Sequence, residues 1–442
     1  MKTGKKPFLD ILGAGPAGLS AGYFAKNKNI PFRIFESSEY IGGNCRTITH
    51  GEFRYDTGAH RFHDKEIEAT NVVKNLIGDE LLTIDAPSQI LSEGRMIDFP
   101  MNFSSLMDNL TISQIFKILV ENIYNITSNK KKIQNFKELA YKTYGKTLSD
   151  RFLINYTEKL WGQSADNLDK VIAGGRLKNL DLISIIKHKL FGFDQHKNLD
   201  GSFYYPKYGF GSIFEAIVNY IDQKNIYLES NVSQIYHEGN RLTGLFCGNQ
   251  KVLDPNFVIS TLPIDVMIKI MNPMPPDDIL KIAEGIRYRN LKVCVFFLDI
   301  PYFSKNASIY FPEKKYHFTR LYEPKNRSAE MAPRKRTCII VESPYSNGDK
   351  LSTLDHNSFF TLVKNDLISL GLIKENKIIS HNIFNMKNAY PILDVNQKEH
   401  RKKILSYLKR FDNLRLLGRN AKFQYLHTHD IILEAKVLID KI

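Results

Sequence analysis

Residues 8–12 (FLDIL) form a short apolar run that breaks directly into Gly13-Ala14-Gly15-Pro16-Ala17-Gly18 and then into LSAGYFAKNKN, whose apolar residues recur at helical spacing. Phe32 to Phe35 (FRIF) is a second β-type run, and it stops at Glu36. Strand, glycine turn, helix, strand and acid in this order predict a parallel βαβ unit built around a dinucleotide phosphate. Gly13 makes the tight turn, Gly15 lets the backbone approach a pyrophosphate, and Gly18 lets the helix pack closely on the strand. The helix N-terminus supplies free amides and the positive end of its dipole. Glu36 stands where a ribose hydroxyl is accepted, and a carboxylate there disfavours the 2′-phosphate of NADP.

The chain has 442 residues, a length that predicts two or three domains. Hydrophobic residues make up 43% and charged residues 24%, which excludes a disordered, collagen-like or coiled-coil chain. No apolar run approaches the roughly 18 to 20 residues that span a bilayer. The start runs straight into the first strand rather than through an apolar leader, so a cytoplasmic protein is expected. Cys45, Cys247, Cys294 and Cys338 are scattered without metal-ligand spacing, so neither a disulfide framework nor a metal site is expected. A net charge of +14 favours anionic partners, whether small substrates, nucleic acid or an acidic lipid surface. The lysines are spread along the chain apart from Lys130 to Lys132, and no nucleic-acid module is present, so nucleic acid is not an expected partner. No transmembrane segment is expected, and peripheral membrane contact stays open.

Six residues after Glu36 comes Gly42-Gly43-Asn44-Cys45-Arg46, followed by residues 56–63, DTGAHRFH. This pair of segments resembles the extended flavin signature of the amine oxidase and protoporphyrinogen oxidase superfamily. The resemblance implies FAD as cofactor, held by Gly13, Gly15, Gly18, Glu36, Gly42, Gly43, Arg46 and His60. Residues 103–124, 135–162 and 182–193 then show helical spacing and read as an inserted helical subdomain. Residues 203–211 (FYYPKYGFG) read as a turn, 212–221 as a helix, and 226–236, 239–248 and 257–265 as strands. These strands resemble the second visit of the chain to an FAD domain, with the Val232 backbone on the adenine side and residues 260–263 lining the pyrophosphate. The runs 291–300, 307–313, 316–324 and 337–346 are broken by Pro, Asn and Gly and read as antiparallel sheet. Residues 413–442 give a last strand, a glycine turn and a closing helix. The expected fold is therefore α/β: a Rossmann-like FAD-binding domain from 1–98, 203–268 and 388–442, a helical subdomain at 99–202, and an antiparallel-sheet substrate domain at 269–387.

Five patches in order along the chain resemble the UDP-galactopyranose mutase branch of that superfamily. Residues 56–63 resemble its histidine loop, with His63 beside the flavin, and residues 99–102 (FPMN) resemble the segment that puts an asparagine, here Asn102, at the sugar nucleotide. Residues 156–162 (YTEKLWG) resemble the segment whose tyrosine and tryptophan, here Tyr156 and Trp161, hold the base side, and Arg176 falls near the mobile-loop arginine, with one residue inserted. Residues 318–323 (FTRLYE) resemble the segment of a second active-site arginine, here Arg320. Gly418 and Arg419, with Tyr425 following, resemble the C-terminal motif whose arginine supports the flavin and whose tyrosine touches the diphosphate. The chain departs from the mutases at His427, where they carry Asp, and at Phe423, where they carry Tyr. Arg46 and FYYPKYGFG look more like the oxidase branch.

The resemblance implies an enzyme that contracts the ring of a nucleotide-activated sugar for cell-surface polysaccharide synthesis, with reduced flavin N5 as nucleophile and a separate flavin reductant as partner. Arg176 and Arg320 would clamp the departing diphosphate, because a guanidinium makes planar bidentate contacts that an ammonium does not. His63 would tune the flavin, and His427 would meet substrate and alter sugar choice. Two alternatives remain: an FAD-dependent oxidoreductase that takes hydride from a small molecule, and a binding protein without turnover.

Overall fold

The computed structural model describes residues 7–99, 110–127, 132–173 and 202–442. Asn102, Arg176 and the apolar stretch 182–193 lie outside the described residues.

The N-terminal βαβ unit seeds a five-stranded parallel sheet in the order Leu414–Leu416, Phe257–Ser260, Leu9–Leu12, Phe32–Phe35, Ile226–Tyr227. Its strands are mostly apolar because both faces are covered, and Asp10 and Arg33 on neighbouring strands pair with each other. Leu9, Ile11 and Ile34 pack against the helices Pro16–Asn27, Ser212–Ile221 and Thr428–Asp440. Leu12, Phe35 and Val258 face the opposite way, toward a four-stranded sheet that includes Val232–Glu238 and Arg241–Cys247. Gly18 is needed for this packing: a Cβ there would lie 1.8 Å from the Gly13 carbonyl oxygen, so the helix could not seat on the first strand.

A second, seven-stranded sheet runs in the order Ile378–Pro391, Tyr288–Leu298, Thr337–Tyr345, Arg320–Tyr322, Ser308–Tyr310, Ser88–Ser92, Arg95–Phe99. All its junctions are antiparallel except that between Ser308–Tyr310 and Ser88–Ser92. The helix His356–Ser369 covers one face through Phe359, Val363 and Leu367. The other face meets Phe53 and Tyr55 of the hairpin Thr47–His50/Phe53–Asp56, which ties this sheet to the dinucleotide-binding half.

Three expectations need correction. The hairpin 88–99, expected in the FAD-binding domain, is the far edge of the seven-stranded sheet, where Ile90 and Ile97 bury their side chains. Residues 203–206, expected as turn, are part of a strand, Ser202–Pro206, paired with Leu81–Asp85, because Phe203 and Tyr205 alternate inward before Pro206 ends the pairing. The helical stretch 135–162 is several pieces: Phe136–Tyr144, Lys146–Leu148, a π-helical turn Ser149–Ile154, and Asn155–Trp161. Gly145, at φ 79°, interrupts it where Glu121 presses against the backbone. No helix among the described residues is long and apolar enough to cross a membrane.

The 1.8 Å approach at Gly18 sets the first test. Gly18→Ala should cost about 1–3 kcal/mol of stability through overpacking against a backbone that cannot yield. Thermal unfolding followed by circular dichroism checks it; an unchanged melting temperature would show that the helix and strand tolerate separation.

Candidate functional site

The glycine turn sits at the carboxyl ends of the parallel strands, the usual place for a ligand in such a sheet. Gly13, at φ 106°, lies against Thr261, whose hydroxyl donates to the Leu12 carbonyl at 2.7 Å and would be 2.2 Å from any Cβ on Gly13. Gly42 donates its N–H to the Ala14 carbonyl at 2.8 Å, which brings the second glycine pair onto the first. Glu36 closes the cradle, accepting from Ala14 N–H at 2.7 Å and from Ser38 N–H at 3.0 Å. Gly15 is different from its neighbours. Its φ of −77° suits any residue, and a Cβ there would meet nothing nearer than Gly43 Cα at 3.9 Å. Neither backbone conformation nor protein packing requires glycine at this place, so the space in front of the helix N-terminus suits a ligand.

A second group of polar side chains lies on one rung of the seven-stranded sheet, where Tyr310, Arg320 and Glu342 are successive cross-strand neighbours. Arg320 donates from Nε to a Glu342 carboxylate oxygen at 2.7 Å. The other Glu342 oxygen accepts the Ala59 N–H at 2.9 Å, so one carboxylate that is 2% exposed holds both the arginine and the loop leading to His60. Burial opposes the charge on Arg320, but Glu342, with Tyr390, Tyr156 and Tyr310, keeps the guanidinium well above its ordinary pKa. The result is a cation that stays charged in a tyrosine-lined wall.

Trp161 joins this wall from the helix Asn155–Trp161, with its ring 5.6 Å from Tyr390 and 5.5 Å from Tyr425. That helix is fastened at both sides. Lys159 donates to the carbonyls of Phe311, Glu313 and Phe318, which anchors it to the hairpin leading into Arg320, and burial pushes the ammonium down to about 7. Arg289 caps its C-terminus through the carbonyls of Lys159 and Leu160, each at 3.1 Å, and pairs with Asp349 at 2.7 Å. Gly162, at φ 67°, leaves room for that guanidinium, which a Cβ would approach to 2.6 Å.

His60 stands where the two halves of the molecule meet. Its Nε2 is 2.8 Å from the Asn44 carbonyl, an acceptor, so Nε2 carries the proton. The ring stacks on Phe210 at 5.1 Å, and its carbonyl accepts from Arg327 at 2.9 Å. Burial lowers its pKa to about 3, helped by the positive charges of Arg320, Arg327 and Arg419. Arg327 is itself buried against the rings of Tyr322 and Tyr205, whose hydroxyls donate to the carbonyl and carboxylate of Asp56.

Residues 16–363 match the family model described as flavin containing amine oxidoreductase. The chain belongs to that family. Its fold is similar to the crystal structure of reduced UDP-galactopyranose mutase, at a TM-score of 0.85 and 19% identity over 98% of this chain and 95% of that one. In sequence it is 22% identical to coproporphyrinogen III oxidase of Bacillus subtilis (strain 168) over 318 residues, 66% of this chain and 67% of the relative. It is 24% identical to dTDP-fucopyranose mutase of Escherichia coli over 222 residues, 48% of this chain and about half, 53%, of the relative.

The cofactor of this family member is FAD. The residues fit it: the open space at Gly15 faces the N-terminus of Pro16–Asn27, and the Gly42-Gly43 turn lies beside it. Val232 begins the strand Val232–Glu238, two residues after Ser230, whose N–H donates to the Glu36 carbonyl at 2.7 Å. Arg46 lies at the rim, its guanidinium 4.4 Å above the Tyr40 ring. Gly418, at φ 89°, presses the last turn against Ala17.

Other site residues take places that the sequence did not foretell. Arg419 spends its donors on the carbonyls of Ala389 at 2.9 Å and Leu426 at 3.0 and 2.6 Å, so it braces the C-terminal turn, while its charge lies 5.1 Å from the Tyr425 ring. Trp161 is 3% exposed, so its rings are packed on Tyr390 and Tyr425 rather than open to a base. Tyr156 packs edge-on against Tyr310 at 5.7 Å. His63 lies near Phe203, at 6.3 Å, and the histidine among the described arginines is His60. His427 is the N-cap of Thr428–Asp440, its N–H donating to Asp430 at 2.8 Å, while its ring lies 5.2 Å from Tyr425. Glu342, Tyr310 and Tyr390 were missed. A lone carboxylate inside the apolar strand TCIIVESPY is a readable signal, since it demands a buried partner; Tyr390 gives none.

Removing one member of a buried ion pair leaves an uncompensated charge and costs about 3–5 kcal/mol. Arg320→Met and Glu342→Gln should each destabilise by that order, whereas the double variant should recover most of the loss, because Gln can still accept the Ala59 N–H. Denaturant unfolding of the three proteins checks this; additive losses would mean that the pair is not the coupled unit.

The depressed pKa of His60 has a definite sign. Between pH 6.5 and about 3 the unfolded chain binds a proton here that the folded protein does not, so stability falls as pH falls through that window. His60→Gln, which keeps a donor for the Asn44 carbonyl, should lose less melting temperature than wild type between pH 6.5 and 4. Parallel pH slopes would place the acid sensitivity elsewhere.

Proposed function

We propose that this flavoprotein acts on a nucleoside-diphosphate sugar, as a mutase-type isomerase without net redox. The reading rests on one observation: Arg320 is held as a permanent cation by Glu342 inside a wall of Tyr156, Tyr310 and Tyr390. The pair with Glu342 is neutral overall, so what it offers a diphosphate is a fixed, planar set of guanidinium donors, which an ammonium substrate could not use. Arg419 adds a second positive charge beside Tyr425, and none of the described carboxylates pairs with it. The similarity to the two mutases supports the same reading.

Bound FAD supplies an isoalloxazine ring that is electron-rich when reduced and accepts hydride when oxidised. The chain's own part is electrostatic. Arg320 orients and stabilises the leaving diphosphate, with Glu342 fixing the plane of the guanidinium so that little reorganisation is needed as charge develops. Tyrosine hydroxyls of the wall donate hydrogen bonds to the phosphate oxygens. His60, neutral at working pH and protonated on Nε2, stays a fixed dipole rather than an acid or base. Residues Asn102 and Arg176 would complete the substrate contacts in this reading.

A second reading is a redox enzyme on a polycarboxylate, favoured by the similarity to coproporphyrinogen III oxidase, which extends over more of the chain than that to dTDP-fucopyranose mutase. Both substrates are anions, so redox balance separates them. With UDP-galactopyranose and dTDP-fucopyranose as probes, isomerised product should form only after chemical reduction of the flavin, with the flavin still reduced at the end. Arg320→Lys should lose on the order of a hundredfold to a thousandfold in kcat, nearly as much as Arg320→Ala, because a point charge does not reproduce the planar fork. Turnover of a porphyrinogen by oxidised flavin, with oxygen consumed, would replace the mutase reading with the redox one.

A further inference from the structure

The helix Ile112–Thr127 seats Ile118 and several polar side chains inward and leaves a broad apolar side outward. Asn122, 5% exposed, donates to the carbonyls of Ile118 at 2.8 Å and Tyr144 at 3.3 Å. Asn125 donates to the Tyr141 carbonyl at 2.7 Å, and Glu121 accepts from both the N–H and the hydroxyl of Thr147 at 2.8 Å. These bonds lock the rotation of the helix onto the elements 136–148. On the opposite side Ile112 is 86% exposed, Phe116 67%, Leu119 38%, Val120 49% and Ile123 62%. At 100° per residue these five fall within an arc of about 100°, the width of a core-facing stripe. A stripe of that kind, held outward by buried polar bonds, is a surface built to be covered.

The charge selects what covers it. The only acid within the helix, Glu121, is turned inward, whereas Lys117 is exposed at the edge of the stripe and Lys142, whose carbonyl accepts from Asn125, is exposed near its C-terminal end. The whole chain carries +14, so a second copy would bring like charge against like, while an anionic surface is attracted. The helix has 16 residues, a length of about 24 Å, too short to span a bilayer but suited to lie in its interface. We propose that this face docks the protein in the plane of an anionic lipid surface, with the apolar stripe seated among the acyl chains and Lys117 at the headgroups. The inference does not depend on which reaction the flavin site performs.

The test is co-flotation of the FAD-loaded protein with vesicles of equal phosphatidylcholine and phosphatidylglycerol, against vesicles of phosphatidylcholine alone. Wild type should float with the anionic vesicles and be released by added salt. The double variant Phe116→Ser and Val120→Ser, at outward positions, should bind at least about tenfold more weakly while keeping its melting temperature and flavin content. Lys117→Glu should weaken flotation on anionic vesicles and leave the neutral ones unchanged, an independent readout if the serine variant folds poorly. Phe116→Leu should bind like wild type. Failure of wild type to float with anionic vesicles, or equal flotation of wild type and the serine variant, overturns the proposal. A dimer in light scattering that the serine variant abolishes, without vesicle binding, assigns the face to a second copy instead and overturns it as well.

Discussion

The Glu342 carboxylate is where the two halves of this protein are held in register. One oxygen fixes Arg320 across the strand junction and the other receives the N–H of Ala59, three residues beyond the hairpin that ends at Asp56. A carboxylate in the middle of an apolar strand has no stable alternative to being paired, so its desolvation cost enforces both contacts together. The geometry of the arginine wall and the position of the His60 loop therefore follow from the same group. Asp56 plays the matching part on the other side, gathering Thr47, Tyr205 and the Phe210 N–H around its carboxylate and Tyr322 at its carbonyl.

Several buried or half-buried cations are satisfied by backbone carbonyls. Lys159 meets three, and Lys325 meets four, those of Pro301, Pro333, Arg334 and Arg336. Arg289 spans carbonyls and Asp349, and Arg419 rests on two carbonyl-bearing residues. A carbonyl satisfies a cation's hydrogen bonds without cancelling its charge. These groups fasten loops; Arg419, which pairs with none of the described carboxylates, keeps its charge for the field through which an anionic ligand would approach, whereas burial lowers Lys159 to about 7 and Asp349 offsets Arg289. Part of the net charge is thus structural in origin rather than a solvated coat.

What could be read in advance depended on how local each signal was. The dinucleotide cradle was legible because its glycines, helix and strands are consecutive, and the steric task at Gly13 and Gly18 is fixed within a few residues. The antiparallel runs were legible as strands, but not their neighbours: the edge hairpin 88–99 and the strand Ile378–Pro391 join from far away in sequence. Their residues SQILS and RMIDF are too mixed to declare which sheet they complete. Among site residues, Arg320 came from a motif, whereas Tyr390 is the penultimate residue of a 14-residue strand and becomes part of the site only through the packing of Trp161 and Tyr425. His427 reads as a substrate contact by its proximity to Tyr425, yet the helix it begins gives it a capping task.

Trp161 is the one tryptophan in the chain, and it lies within 5.6 Å of Tyr390 and 5.5 Å of Tyr425 on the wall that contains Arg320. Its indole emission therefore comes from one place in a protein of 22 tyrosines, and those two rings are close enough to pass excitation to it. Evolution has left a single optical probe at the aromatic junction of three distant segments. Quenching or a spectral shift on adding a ligand would report on that junction alone, with no label and no substitution.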